Sequence, residues 1–466
     1  MEIRPEINQE QLPEALREDY EIRERTVEDS KEPPKSWKDT VKHFGPSFVI
    51  MGATVGSGEL IATTIMGAKI GYVMLWMLIL GIIVKAAIQE VFARYTISTG
   101  KTLMDALDDI PGRIFGVSWA VWWAGLLMIS LLIVMAGIVA SMGIAVQAFF
   151  GFGNADVWGL ILIVIGILLL LRGLYADIEN ITVILVGIFS LITVVIAFFL
   201  IQATPYAYTA SDIASGLTFS FPPEGWFVAL AVFGVTGISA NEVLTYTYWV
   251  RGKGYAAWSG PNDSSGFADR AKGWTNVMRS DLVAGAVLVS IVTVAFYILG
   301  AGVLHVIGKV PAGFEAIETI SSIYTQTVGA WTRPLFMVAA ICILFTTYMV
   351  NTAGIARVVG DCLIKAKIIK AESQKQHLTI RRVFTIIGPM AMLLLYYVVG
   401  NPTQLIMIGS FVLSLSVPIA AVCALVLENK MKKEGDMLRF GGLGTIYLWL
   451  SAICIIALVL GSILLS

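Results

Sequence analysis

The chain has 466 residues, of which 57% are apolar and only 14% charged, and its mean hydropathy is +0.80. A water-soluble domain carries about 25% charged residues, so this composition excludes an ordinary soluble globule and makes lipid the solvent for most of the surface. The formal charge of −1 and the absence of a basic domain or a basic helix with interleaved aromatics exclude nucleic acid as a partner.

Residues 1–43 hold a dense mixture of acids and bases and no apolar core segment, so they read as a polar cytoplasmic tail rather than a signal peptide, partly helical and interrupted at Pro33 and Pro34. A helix needs about 20 apolar residues to cross the hydrocarbon layer. Eleven such segments follow, near 44–69, 71–95, 114–149, 156–172, 180–202, 226–250, 280–304, 331–357, 383–399, 402–427 and 443–465. They are called spans 1 to 11 here. With an odd count the two termini lie on opposite sides. Twenty basic residues then fall in the tail-side loops after spans 2, 4, 6, 8 and 10, against Lys69, Lys309 and Arg333 on the other side. That asymmetry predicts a cytoplasmic N-terminus.

Span 1 contains GATVGSGELIATT (52–64), three glycines, a serine and a carboxylate where a membrane helix wants apolar helix formers. Span 6 contains a gapped echo, GVTGISANEVLTYT (234–247). Gly52 aligns with Gly234, Thr54 with Thr236, Ser57 with Ser239 and Glu59 with Glu242. Five spans separate the two, so they cross the membrane in opposite directions. This is the pattern of an inverted repeat: 44–202 as the first five helices, 203–427 as the second five, and 428–466 as an appended eleventh helix. The two segments are expected to unwind, to aim half-helix carbonyls and two carboxylates at one midplane pocket, and to leave room for a hydrated ion at Gly56, Gly58 and Ala240. The plainer role for such glycines is close helix packing, expected at Gly52, Gly67, Gly71 and Gly81.

A charge at a helix centre costs roughly 2.5–3.5 kcal/mol on insertion scales, so intramembrane ionisable residues mark function. Glu59 and Glu242 are the leading candidates. Lys85 in span 2 either pairs with one of them or meets Glu90 and snorkels outward. Glu90 and Arg94 form an ordinary i,i+4 pair. Asn241 offers an amide oxygen to an ion, or caps the half-helix that starts beside it. Thr346, Thr347, Asn351 and Thr352 in span 8 are expected to bond back to their own helix, Ser410, Ser414 and Ser416 likewise, and His305 lies at a solvated edge. The scattered cysteines, Cys342, Cys362, Cys423 and Cys454, fit neither disulfides nor a zinc site and read as packing residues. No nucleophile–base arrangement or cofactor motif stands out, so an enzyme is not expected and no cofactor is called for.

FGPSFVIMGATVGSGELIATTIMGAKIGYVMLWMLIL, QEVFARYTISTGKTLMDAL, LLRGLYADIENITVILVGIFS and FGVTGISANEVLTYTYWVRGKG together, in this order and spacing, resemble the Nramp family of divalent metal transporters. The resemblance implies an all-α, LeuT-type membrane fold and a carrier in the plasma membrane. The family's first-helix motif Asp-Pro-Gly-Asn stands here as Gly56-Ser57-Gly58-Glu59, and its sixth-helix motif Met-Pro-His-Asn as Ile238-Ser239-Ala240-Asn241. The soft thioether ligand is therefore replaced by Ile238, and the remaining donors are hard oxygens that suit magnesium, calcium or manganese. Span 3 carries none of the acids the family ties to proton movement, so coupling by that route is not expected. The sequence thus predicts a monomeric secondary carrier for a hard divalent cation, with Glu59, Asn241 and Glu242 as metal ligands and Gly56, Ile238 and Lys85 lining the substrate site. A carrier of a small organic solute, with Lys85 facing its carboxylate, and a non-transporting sensor on the same scaffold are the alternatives.

Overall fold

The computed structural model describes residues 25–172 and 175–464. Among them, ten helices are long and apolar enough to cross a membrane. Each coincides with an expected span: Pro46–Ile70, Leu75–Thr99, Trp119–Phe150, Ala155–Arg172, Trp226–Lys253, Phe267–Leu304, Thr332–Lys365, Lys375–Val399, Pro402–Lys433 and Gly442–Leu464. Span 5 is the helix Tyr175–Phe198, whose described apolar stretch runs over Val186–Phe198. The chain is therefore a multi-pass membrane protein. Residues 1–24 of the expected tail, with any helix there, lie outside the described residues. One element was not legible in the pattern: a two-residue antiparallel hairpin, Arg113–Ile114 with Val117–Ser118, which delays the start of span 3 to Trp119.

The inverted repeat is visible in which helices pack together. Span 1 lies against span 6, span 2 against span 7, span 3 against span 8 and span 4 against span 9. Four of the five helices of the first repeat thus touch their counterparts five spans later, in keeping with a pseudo-two-fold axis through the bundle centre. Span 11 sits outside this set, on spans 2 and 10.

Both counterpart helices are interrupted, but in different ways. Span 6 stops at Val235 and restarts at Ala240, with Gly237 at φ +73 in the gap. A side chain is strained at that φ, and a Cβ there would also collide with Ile82. Span 1 does not unwind. Its α-helix Pro46–Thr54 passes into a nine-residue π-helix, Val55–Thr63, and returns to α-helix over Thr64–Ile70. A π-helix keeps backbone pairs inside the segment while widening the turn, so the glycine-rich stretch meets its hydrogen-bonding need without opening. The expected roominess is also absent. A Cβ on Gly58 would lie 2.5 Å from the Val235 carbonyl oxygen, and one on Gly56 would strike the Thr347 hydroxyl. These glycines let span 1 press against spans 6 and 8, as the packing reading holds for Gly67 against the Tyr297 carbonyl.

On the face where the tail lies, residues 25–45 bind the bundle. The Arg25 guanidinium donates to the carbonyls of Thr96, Ile97 and Ser98 at the end of span 2 and to Asn262 Oδ1. The Trp274 indole donates to the Lys31 carbonyl at 2.8 Å. Asp281 of span 7, fully buried, accepts the backbone N–H groups of Gly45 and Ser47, each at 2.9 Å, and so caps the start of span 1 from another helix. Glu90 pairs with Arg94 as expected and also with Arg279 at 3.4 Å. His305 is exposed, with its Nδ1 3.0 Å from the Ala68 carbonyl oxygen. All four cysteines are free.

Because Gly58 sits against backbone that cannot rotate away, Gly58→Ala should destabilise the protein by about 1–3 kcal/mol, the usual cost of overpacking. Gly252, in a helix and with no atom within 4 Å of its Cβ position, should tolerate alanine without loss. Thermal unfolding of the two purified variants in detergent checks the contrast.

Candidate functional site

An interrupted helix at bilayer depth leaves backbone groups that need partners, because no water is there to supply them. The carbonyls at the end of the first half of span 6 point one way, and the amides that begin the second half point the other. Three ionisable residues meet these needs, and they are the three the sequence singles out.

Glu59, from the π-helical part of span 1, is completely buried. Its Oε1 accepts the Gly237 N–H and the Thr293 hydroxyl, both at 2.9 Å. Its Oε2 has no hydrogen-bond partner within the protein. Glu242 stands in the first turn of the second half of span 6, where the helix dipole favours a carboxylate. Its Oε2 accepts the Ser239 N–H at 2.9 Å and the Thr54 hydroxyl at 3.4 Å. The two acids are thus reciprocal. Glu59 leaves span 1 to hold the break in span 6, and Glu242 of span 6 accepts from Thr54, the last residue before the π-helix of span 1. The sequence alignment of Glu59 with Glu242 has this physical counterpart.

Lys85, 1% exposed, does not snorkel outward, and its ammonium engages backbone rather than a carboxylate. Its ammonium donates to the Phe233 and Thr236 carbonyls, each at 2.8 Å, and lies 4.9 Å from the centre of the Phe233 ring. A hydrogen bond to a charged group is worth about 1.5–3 kcal/mol, roughly twice a neutral one. Two of the carbonyls expected to face a metal ion are therefore taken by a side chain. Lys85, Glu59 and Glu242 lie within electrostatic reach of one another, and their formal charges sum to −1.

Asn241, 2% exposed, is tied at both ends of its amide. Its Oδ1 accepts the Ser239 hydroxyl at 2.7 Å, and its Nδ2 donates to Asn351 Oδ1 at 3.1 Å. It does not cap the half-helix; Ser239 stands at that position. Asn351 carries the network onward, from its Nδ2 to the Ala53 carbonyl of span 1 at 3.3 Å and to its own helix at Thr347 O, 2.9 Å. The Thr347 hydroxyl donates to Gly52 O at 3.1 Å and accepts the Gly56 N–H at 3.2 Å. Ile238, 4% exposed, lines a small cavity with Ser47, Ile50, Gln89, Gly237 and Leu282 on the tail side of the break.

The structure therefore brings Glu59, Glu242, Lys85, Ile238, Asn241 and Gly56 to one region, around the interruptions of spans 1 and 6. Among the described residues, no group of three or more His, Cys, Asp or Glu side chains is arranged to hold a metal. Glu59 Oε2 is a buried carboxylate oxygen in this region without a protein partner. Thr293, Thr347 and Asn351 belong to this region as well. Thr293 is one of two aliphatic hydroxyls, with Ser290, in an apolar run, and such residues ordinarily bond back to their own helix, as Ser290 does, so nothing in the pattern distinguished it. Thr347 and Asn351 were visible as polar residues, but their cross-helix partners depend on the packing of span 8 on span 1.

A helical membrane bundle with paired, interrupted central helices and an inverted repeat defines a multi-pass membrane protein of the LeuT-type fold. Solved structures agree. A mutant of the manganese transporter of Eremococcus coleocola superposes with a TM-score of 0.64 at 16% identity, covering 94% of this chain and 90% of that one. MhsT in complex with L-phenylalanine gives 0.57 at 14% identity, with 94% and 100% covered. Mhp1, a nucleobase-cation-symport-1 family transporter, gives 0.55 at 13%, with 93% and 94% covered. A family model described as "Natural resistance-associated macrophage protein-like" matches residues 47–465, and the chain belongs to this Nramp family. Similar curated proteins include the divalent metal cation transporters MntH of Bacillus subtilis, 24% identical over 434 residues (91% of this chain and 92% of that protein), and of Brucella suis, 22% identical over 415 residues (86% and 83%).

Thr293→Val removes one of the two bonds on Glu59 Oε1 and leaves the rest of span 7 unchanged. It should lower stability by about 1.5–3 kcal/mol, the worth of a hydrogen bond to a charged group. Denaturation of the purified protein at constant pH measures it.

Proposed function

We propose that this protein is a secondary carrier that moves a hard divalent cation, of the magnesium or manganese class, across the plasma membrane by alternating access. The observation that carries the reading is Glu59: a fully buried carboxylate with one oxygen holding spans 6 and 7 and the other without a partner. A cation arriving at Oε2 draws on the same carboxylate that fixes the Gly237 amide. Occupancy of the site is thereby coupled to the angle between the halves of span 6, which is what an alternating-access step requires.

The donor chemistry supports a hard ion. Around the two interruptions the side chains offer carboxylate, amide and hydroxyl oxygen, and Ile238 stands where the family's sulfur ligand would be. Glu59 and Glu242 supply two negative charges, which Lys85 reduces to one. Asn241 and Asn351 complete the shell by turning their amide oxygens from one another and from Ser239. Span 3 has no acid along Trp119–Phe150, which favours transport without the family's proton route. The excess of basic residues in the loops on the tail side supports a cytoplasmic location for that side. The organic-solute alternative needs Lys85 to face a substrate carboxylate, and its ammonium faces two backbone carbonyls instead.

Glu59→Gln and Glu242→Gln should each reduce manganese or magnesium uptake into proteoliposomes by about tenfold or more, the equivalent of 1.4 kcal/mol or greater. Glu59→Gln should have the larger effect, since its free oxygen is the proposed anchor. Uptake at the wild-type rate by both variants would refute the assignment, as would uptake of an amino acid with no response to either metal.

A further inference from the structure

A half-helix that ends inside the bilayer presents carbonyl oxygens with partial negative charge, and a small cation is the natural partner for such an end. In this protein the position is filled from within. The Lys85 ammonium makes two bonds of equal length to Phe233 O and Thr236 O, on either side of the last residue of the half-helix. The Phe233 ring supplies a third, electrostatic contact. Gly81, one turn before Lys85, is what allows that ring to lie so close: a Cβ there would be 3.2 Å from it. Glu59 holds the Gly237 N–H, next to the Thr236 carbonyl that Lys85 engages. Gln89, one turn after Lys85, lines the cavity together with Gly237, the neighbour of Lys85's second acceptor. Two carbonyls and an aromatic face around one buried ammonium make up a monovalent-cation site whose ion is covalently attached to span 2.

We propose that Lys85 is a tethered counter-cation, occupying a small monovalent-cation site at the end of the first half of span 6 so that the carrier keeps its broken helix together, and reorients when empty, without an inorganic co-ion. The site rests on the geometry alone; only its part in reorientation rests on the reading of the chain as a cation carrier.

Lys85→Ala empties the site and leaves the carbonyls. Thermal unfolding of the purified variant is followed while ethylammonium, sodium or choline chloride is titrated at fixed ionic strength. Wild type should unfold at one temperature in all three. Lys85→Ala should unfold at a lower temperature and recover about half or more of the loss in ethylammonium or sodium, with the midpoint rising with ligand concentration as mass action requires. Choline, too wide for the carbonyl pair, should give no recovery. A variant as stable as wild type, or one whose loss neither small cation repairs, overturns the proposal. If Lys85→Ala is not recovered folded, Lys85→Met and Lys85→Arg decide the matter. Arginine keeps the charge and should be tolerated, while methionine keeps the stem volume and should not; any other order overturns the proposal. In proteoliposomes, wild-type metal uptake should be indifferent to replacing sodium by choline, and Lys85→Ala uptake should become dependent on sodium or ethylammonium. Failure of the wild type to take up any metal would refute the transport reading, while the unfolding titration would still decide the cation site.

Discussion

The interruption of span 6 imposes the constraint from which the rest of the centre follows. Breaking a helix in the middle of a bilayer leaves carbonyls and amides that lipid cannot satisfy. Here the carbonyl end is met by a cation, Lys85, and the amide side by two carboxylates, Glu59 at Gly237 and Glu242 at Ser239. Each charge is in turn placed where the local dipole favours it. The charges that look costly in an apolar chain are thus the means by which the chain tolerates its own broken helix. The Glu59 oxygen left over is the exception, and a buried acceptor without a donor is where a ligand belongs.

The inverted repeat explains why the two acids reach across to each other. Spans 1 and 6 are counterparts about the central axis, so a carboxylate at one position in each projects toward the interruption of the other. The symmetry is approximate. Span 6 opens at a glycine with positive φ, whereas span 1 widens into a π-helix. The difference has a packing cause: Gly56 and Gly58 press against Thr347 and the Val235 carbonyl, and an unwound segment would not fit that surface. Span 6 can open because Lys85 and Glu59 stand ready to receive its backbone groups. The segment Ile238-Ser239-Ala240-Asn241 of span 6 carries no sulfur, while span 2 contributes a positive charge at Lys85.

Hydropathy was enough to place the ten helices that, among the described residues, are long and apolar enough to cross a membrane, since a length of about 20 apolar residues is a one-dimensional requirement set by bilayer thickness. The pairing of Glu59 with Glu242 was legible for a similar reason: a repeat leaves its mark in the order of residues. The i,i+4 pairing of Glu90 with Arg94 is local and followed from helix geometry alone. By contrast, the kind of interruption in span 1, the partners of Lys85 and the membership of Thr293 in the site depend on which surfaces meet. Lys85 shows the limit most clearly. Its chemistry required a buried partner, but every partner considered from the sequence was a carboxylate, whereas the acceptors are backbone oxygens, which every residue carries and no sequence marks.

The amino-acid sequence by itself therefore determined the membrane class, the count and order of helices, the inverted repeat and the identity of the three charges at its centre. Those properties depend on composition, periodicity and spacing along the chain. The tertiary structure decided how the charges are used: which oxygen of Glu59 is engaged, which carbonyls hold Lys85, and whether a glycine run opens or closes. Those outcomes are set by contacts between segments some 150 to 290 residues apart, and the direction of a backbone hydrogen bond across such a distance exists only once the helices are packed.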